Sequence, residues 1–285
     1  MNFWQPGGGR AFRALGVGEP FLFKLHAPRN FVVGGGFFAH FSQLPVNLVW
    51  RTFGEMNGAA TFVEMRERIE KYRRIAPRPF EDYAIGCIIL EEPFFLPRDS
   101  WIPAPADFHP NIVVGKTYAL AAGAGQELWE RVLAARAPLL GRVSEGTPEV
   151  AGPIFGDPAL VTPRLGQGAF RVMVTDSYGR RCAVTGEKAL PTLEAAHIKP
   201  VSAGGLHRLD NGLLLRSDVH ALFDAGYVTV TPRYEIRVSR RLKDDFDNGE
   251  PYYPFDGRPI GLPDRRGVRP AVEFLEWHGD TVFRR

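Results

Sequence analysis

The stretch CAVTGEKALPTLEAAHIKPVSAGGLHRLDNGLLLRSDVHALFDAG, residues 182–226, decides how the C-terminal part of this chain is read. CAVTGEKALPTLEAAHI reads as the entry to a hairpin that ends at His197, and KPVSAGGLHRLDNG (199–212) as a loop punctuated by Pro and Gly. LLLRSDVHALFDAGYVTVTPRYEIRVS (213–239) reads as a short helix around Ser217–Asp224, with Ser217 as N-cap, and then two strands turning at TPRY. The order is strand, loop, helix, strand. On such an element a histidine near the strand end and one on the helix can face each other across a small cleft. His220 and Asp224 are four residues apart, so on a helix they project from one face and could share a divalent cation. GAFRVMVTDSYGRRC (168–182) predicts a preceding helix through Tyr178. Phe170, Leu193, Leu214, Leu222 and Phe223 are the expected core.

Phosphodiester hydrolysis asks for such a pairing, with a base to deprotonate water and a metal to stabilise charge on the phosphoryl oxygens and leaving group. The order His197, Asn211, His220, at intervals of 14 and 9, resembles the HNH or ββα-metal endonucleases. CAVTG, AAHIKPVSAGG, DNGLLL and HALFDAG resemble the HNH subgroup in which a helix precedes CAVTG, and FLEWH (274–278) is similar to that subgroup too. The resemblance implies His197 as general base, Asn211 as brace of the loop that orients it, and His220 with Asp224 as ligands of one Mg²⁺ or Mn²⁺. It departs at Ala196, where many members carry an Asp or His ligand. Only Cys182 stands where many members place two cysteine pairs, so no structural zinc is expected. Asp224 could instead cap or salt-bridge its own helix. A lone histidine is more often structural than functional, and His26, His109 and His207 are read so.

The first 120 residues look sheet-rich, with EPFLFKL (19–25), FVVGGGFFAHF (31–41), YAIGCIIL (83–90) and EEPFFL (91–96) as strands and GKTYAL (115–120) as a closing one. TFVEMRERIEKYRR (61–74) predicts a helix with Phe62, Met65, Ile69 and Tyr72 on its apolar face. QELWERVLAARAPLL predicts another, followed by a Pro- and Gly-rich linker. The expected division is a reader domain over 1–122, a linker with a short helix over 123–165 and a nuclease domain over 166–285. The fold class is α+β, a small N-terminal barrel followed by a ββα-metal unit.

Residues 18–41, 83–103 and 111–120 together resemble a PUA-superfamily barrel, the group that includes the SRA and EVE readers of modified bases. That resemblance implies flipping of 5-methylcytosine or 5-hydroxymethylcytosine into a pocket, at a cost of a few kcal/mol recovered by stacking and edge hydrogen bonds. Trp4, Phe37, Phe38, His40, Trp101 and Tyr118 are the aromatic candidates. Asn30, Asp99 and Asn111 are candidates for base edges, and Arg10, Arg13, Lys24, Arg29 and Lys116 for phosphates. The bland alternative is that the aromatics fill a core. Gly34–Gly36 suit either a tight turn or close approach of backbone to DNA.

Composition sets the outer bounds. The chain has 285 residues, 45% hydrophobic and 24% charged, with no apolar window long enough for a membrane span. This argues against a membrane protein and against a disordered one. Two cysteines and no signal-like N-terminus point to a reducing, cytoplasmic setting. The net charge of +3 is uneven: residues 166–243 hold 12 basic and 7 acidic side chains, a net of +5. The expectation is a modification-dependent endonuclease acting on double-stranded DNA. HNH units cut one strand each, so double-strand cleavage implies a homodimer on DNA. The alternatives are a non-catalytic modified-DNA-binding protein, which Ala196 favours, and an HNH nuclease for unmodified sequence.

Overall fold

In a computed structural model the described residues are 1–7, 11–76, 80–109, 112, 115–140, 166–264 and 268–285. Asn111, Arg10 and the linker beyond residue 140 lie outside them. The chain divides into two compact units. One comprises Met1–Gly8, Ser42–Cys87 and Thr162–Arg285; the other comprises Gly9–Phe41 and Ile88–Val161. Segment 42–87, adjacent in sequence to the early strands, therefore belongs to the unit that holds residues 162–285.

The strands are β1 (Asn2–Gln5), β2 (Pro20–Lys24), β3 (Phe31–Pro45), β4 (Ala84–Phe95), β5 (Ile102–Pro103), β6 (Leu193–His197), β7 (Gly212–Arg216), β8 (Val228–Val230) and β9 (Ile236–Val238). The helices are α1 (Val46–Phe53), α2 (Phe62–Arg73), α3 (Gly123–Leu140), α4 (Gln167–Ser177), α5 (Ser217–Asp224), α6 (Arg241–Phe246) and α7 (Val272–Thr281). No helix among the described residues is long and apolar enough to cross a membrane.

In the first unit, LEAAH has modest intrinsic strand preference and becomes β6 because it pairs antiparallel with the buried GLLLR of β7, His197 opposite Gly212. Helices α4 and α5 pack on both strands. Phe170, Leu193, Leu214 and Phe223 are buried as expected, whereas Leu222 is only half-buried. Ser217 is the first helical residue of α5 rather than its cap: Arg216 is extended before it, and no side chain caps the helix. Arg216 instead grips Asp218 through two hydrogen bonds of 2.6 and 2.7 Å, holding a carboxylate in the first turn where the helix dipole favours it. Cys182 is buried, and its sulfur accepts the backbone N–H groups of Thr185 and Arg216, pinning the CAVTG turn to the end of β7.

In α2 the hydroxyl of Thr61 accepts the N–H of Glu64, and Met65 and Ile69 are fully buried. Tyr72, expected on that face, is 62% exposed. Arg66 and Glu70 take the inward positions, paired at 3.1 Å, and the Tyr83 hydroxyl donates to the same carboxylate. Satisfied this way, two charges can be buried where an apolar stripe was expected.

The tail supplies another buried polar group. His278 of α7 stacks on Phe223 at 3.7 Å, donates from Nε2 to the Phe223 carbonyl and accepts the Thr229 hydroxyl at Nδ1. Burial lowers its pKa from 6.5 to about 4. The folded protein therefore binds fewer protons here than the unfolded chain. The associated stability is present above pH 6.5 and is lost as pH falls toward 4, amounting to about 3 kcal/mol for this group. Urea unfolding between pH 7 and 4 should show this slope, and it should be shallower in His278→Gln; equal slopes would refute the assignment.

The main sheet has the order β1-β4-β3-β2, with β5 also on β3. It is open: among the described residues no closed barrel forms, and GKTYAL contains no strand that could bridge the edges β1 and β2. The N-terminal barrel expected from sequence is thus not observed. That segment instead abuts the start of α3, where a Cβ on Gly125 would lie 2.2 Å from the Ala119 carbonyl oxygen. Gly34–Gly36 make no turn. They lie within β3, where a Cβ would meet Phe94 O at 2.3 Å, Phe21 O at 2.7 Å and Glu91 O at 3.0 Å, so the close approach is to the protein's own backbone.

Candidate active site

His197 closes β6, and the ring of Phe170 from α4 lies flat against its imidazole, with centroids 4.0 Å apart and planes within 9°. The glycine paired with it is required by the same packing, since a Cβ at Gly212 would come 2.6 Å from Val174 and 3.1 Å from Phe170. Nε2 of His197 lies 2.9 Å from Nδ1 of His207. Nδ1 of His197 makes no hydrogen bond among the described residues. Desolvation first, then the neighbouring His207 and His220, lower the pKa of His197 from 6.5 to about 4. The imidazole is therefore neutral at neutral pH, with a lone pair available to accept a proton.

Asn211 is fully buried and braces the loop at both ends. Its Oδ1 accepts Lys199 N–H at 2.9 Å, while Nδ2 donates to the carbonyls of Lys199 at 2.9 Å and Leu206 at 3.0 Å. Its own carbonyl accepts Ile198 N–H at 2.9 Å. Among the described residues Asn211 makes no hydrogen bond to the His197 ring. It holds the backbone on either side of the loop, next to His197 at one end and next to His207 at the other.

His220 projects from α5 between two carboxylates. Nδ1 is 2.7 Å from Glu194 Oε2, and Nε2 is 3.3 Å from Asp224 Oδ2. Both carboxylates only accept, so a neutral His220 has one proton for two acceptors, and the shorter contact assigns it to Nδ1, pointing at Glu194. Nε2 and Asp224 then face each other as two acceptors, a contact that calls for a proton or a cation between them. Desolvation and, more weakly, Glu194 raise the Asp224 pKa, while His220 lowers it. A nitrogen and an oxygen donor in this arrangement suit a divalent ion that completes its shell with water and phosphate oxygens. Glu194 and Asp224 sit on opposite nitrogens of one ring, and among the described residues no group of three or more His, Cys, Asp or Glu side chains is arranged to hold a metal alone.

Ala196 is buried and offers nothing to a metal. Glu194, two residues earlier and so on the same face of β6, brings in the carboxylate that reaches His220. Neither Glu194 nor His207 stood out in the sequence. Glu194 becomes legible only once LEAAH is known to be a strand packed under α5. Arg171 of α4 lies near Glu194 and Arg51, and its pKa is lowered by desolvation and then by Arg51, an electropositive setting beside these carboxylates.

The remaining sequence candidates scatter. Trp4 belongs to the first unit, where its Nε1 donates to the Asn57 carbonyl at 2.9 Å. In the second unit Phe38 is buried, and Trp101 packs against the core of Val32, Phe94 and Ile102. Phe37 meets Trp129 edge-on at 6.3 Å, and His40 is half-buried on the same strand. Asp99 is exposed in the turn before β5. Asn30 accepts Lys24 Nζ at 2.9 Å, and Lys24 lies 4.6 Å from the centroid of Phe108. The adjacent Asp107 binds Lys116 at 2.5 Å and the Tyr118 hydroxyl at 2.8 Å. Asn30, Lys116 and Tyr118 are thus linked through the Asp107–Phe108 pair, which the sequence did not single out.

Residues 182–231 match the HNH endonuclease family (HNH_2), a span that contains His197, Asn211, His220 and Asp224. A solved structure titled modification dependent TagI restriction endonuclease is similar at 20% identity and a TM-score of 0.28, over 38% of this chain. The similarity covers 35% of that chain, about a third of its length. No curated protein matches the chain.

Proposed function

We propose that the protein is a metal-dependent DNA endonuclease directed to modified cytosine. The observation that carries the nuclease half is geometric: His197 is stacked on Phe170 with no hydrogen bond to Nδ1 among the described residues, on the same β6–β7–α5 element as the His220–Asp224 acceptor pair. His197 Nδ1 takes a proton from water as its oxygen attacks phosphorus, and the P–O bond to the leaving oxygen breaks. His220 Nε2 and Asp224 Oδ2 would hold Mg²⁺ or Mn²⁺, which supplies charge stabilisation on the phosphoryl and leaving oxygens. Glu194 fixes the His220 tautomer that leaves Nε2 a donor to metal. Asn211 keeps the loop closed around His197, and Arg171 favours an approaching phosphate.

The modified-base half rests on the resemblance of the N-terminal strands to modified-base readers. The cluster of exposed Asn30, Asp107 and Lys116 with half-buried Lys24 and Tyr118 offers a carboxylate, an amide and an aromatic ring, groups able to read a flipped base. Supercoiled plasmid carrying 5-methylcytosine or 5-hydroxymethylcytosine should be linearised with Mg²⁺ or Mn²⁺, spared with EDTA, and cut far faster than the matched unmodified plasmid. Equal cutting of both would remove the modification dependence, and no cutting of either would remove the nuclease. Double-strand cleavage requires two HNH sites, so the DNA-bound species is proposed to be a homodimer.

A further inference from the structure

We infer that His207 is the proton-relay and positioning partner of His197, an inference that rests on the nuclease reading above. The geometry is built around the pair. The two rings lie 4.9 Å apart at 58°, Phe170 contacts both, and Nε2 of His197 meets Nδ1 of His207 at 2.9 Å. The loop that carries His207 is held in place by backbone requirements. Asn211 binds the Leu206 carbonyl, and Gly205 packs so tightly that a Cβ there would lie 1.8 Å from the Lys199 carbonyl oxygen. The groups that face His197 are apolar Phe170 from α4, His207 from the loop and, further away, His220 from α5.

Two neutral imidazoles share this hydrogen bond in one of two ways. If His207 Nδ1–H donates to His197 Nε2, the proton of His197 sits on Nδ1 and the ring has no lone pair for water. If His197 Nε2–H donates to His207 Nδ1, the lone pair of His197 Nδ1 is free, and only this arrangement gives a base. His207 Nδ1, as acceptor, thereby selects the working tautomer. It also provides an exit. When His197 Nδ1 gains a proton from water, the Nε2 proton can pass to His207 Nδ1, and the Nε2 proton of the half-buried His207 leaves to solvent; proton exchange with solvent then restores the starting tautomer of both rings before the next turnover. The hydroxide forms the new P–O bond, the leaving oxygen is protonated from solvent, and one proton per hydrolysis is released through the pair.

Three substitutions separate relay from packing. His207→Phe keeps a ring against Phe170 but accepts no proton. His207→Gln retains an acceptor that can hold the tautomer yet cannot relay. His207→Ala opens space for added imidazole. In single-turnover plasmid cleavage at saturating Mn²⁺, His207→Phe should fall by about 10²-fold, and His207→Gln should recover part of that loss. Imidazole should raise the rate of His207→Ala in proportion to its concentration. The proton inventory in mixed H₂O and D₂O should curve for the wild-type protein and become linear in His207→Gln. A His207→Phe variant that cuts at the wild-type rate overturns the relay, as does a loss that neither glutamine nor imidazole restores. A wild-type protein that cuts no DNA fails the nuclease reading itself, a result distinct from either.

Discussion

His197→Ala is expected to lower plasmid cleavage by roughly 10²–10⁴-fold, the range for losing a general base, with the protein still folded. His197 lies at the end of a strand whose core contacts come from Leu193 and Ala196, so its removal leaves the β6–β7 pairing intact. The Phe170 stack is lost, which should cost a modest drop in melting temperature. The pH profile should carry a further mark. Because the base is held neutral down to about 4, the acid limb of the rate should fall near pH 4 rather than near 6.5. Single-turnover rates at saturating Mn²⁺ from pH 3 to 8 would show it, and a fully active His197→Ala would exclude His197 as the base.

The second large effect is on metal. Calorimetric titration with Mn²⁺ should give one site per chain in the wild-type protein and none in the double variant His220→Ala, Asp224→Ala. Glu194→Gln, which replaces the charged acceptor of His220 Nδ1 by a neutral amide without touching Nε2, should weaken Mn²⁺ binding by about 10–100-fold, as for other carboxylates that orient a ligating histidine. A wild-type protein with no divalent site would favour the alternative raised by Ala196, a remnant that grips DNA without cutting it. A Glu194→Gln variant with unchanged affinity would show that the 2.7 Å contact only tethers α5 to β6.

The site was partly legible for a local reason. His197, Asn211, His220 and Asp224 fall within a single strand-loop-helix run, and the rules that relate them act over a few residues. A helix puts positions four apart on one face. Asn211 was legible as a loop brace, though the structure shows that it acts through backbone at Lys199 and Leu206 rather than through the His197 ring. His207 reads from sequence as a structural residue, because a lone histidine is more often structural than functional. Its meeting with His197 depends on how the loop closes.

The sequence by itself determined a strand end at His197, the helix around Ser217–Asp224 and the two strands after it, though not β7, together with the burial of Phe170, Leu214 and Phe223 and the i, i+4 pairing of His220 with Asp224. Each of these follows from short-range periodicity and side-chain size. Tertiary structure decided the rest. It paired LEAAH with GLLLR and packed the pair under α5, so that Glu194 reaches His220 on the same face of β6 as the missing ligand at Ala196. It buried Arg66 and Glu70 together while exposing Tyr72, because mutual neutralisation offsets a desolvation cost that no helical pattern records. It left the sheet open where strands were expected to close a barrel, since closure requires two edges distant in sequence to meet. It also set the protonation of His197, because the pKa of an imidazole depends on the burial and the neighbours that folding supplies.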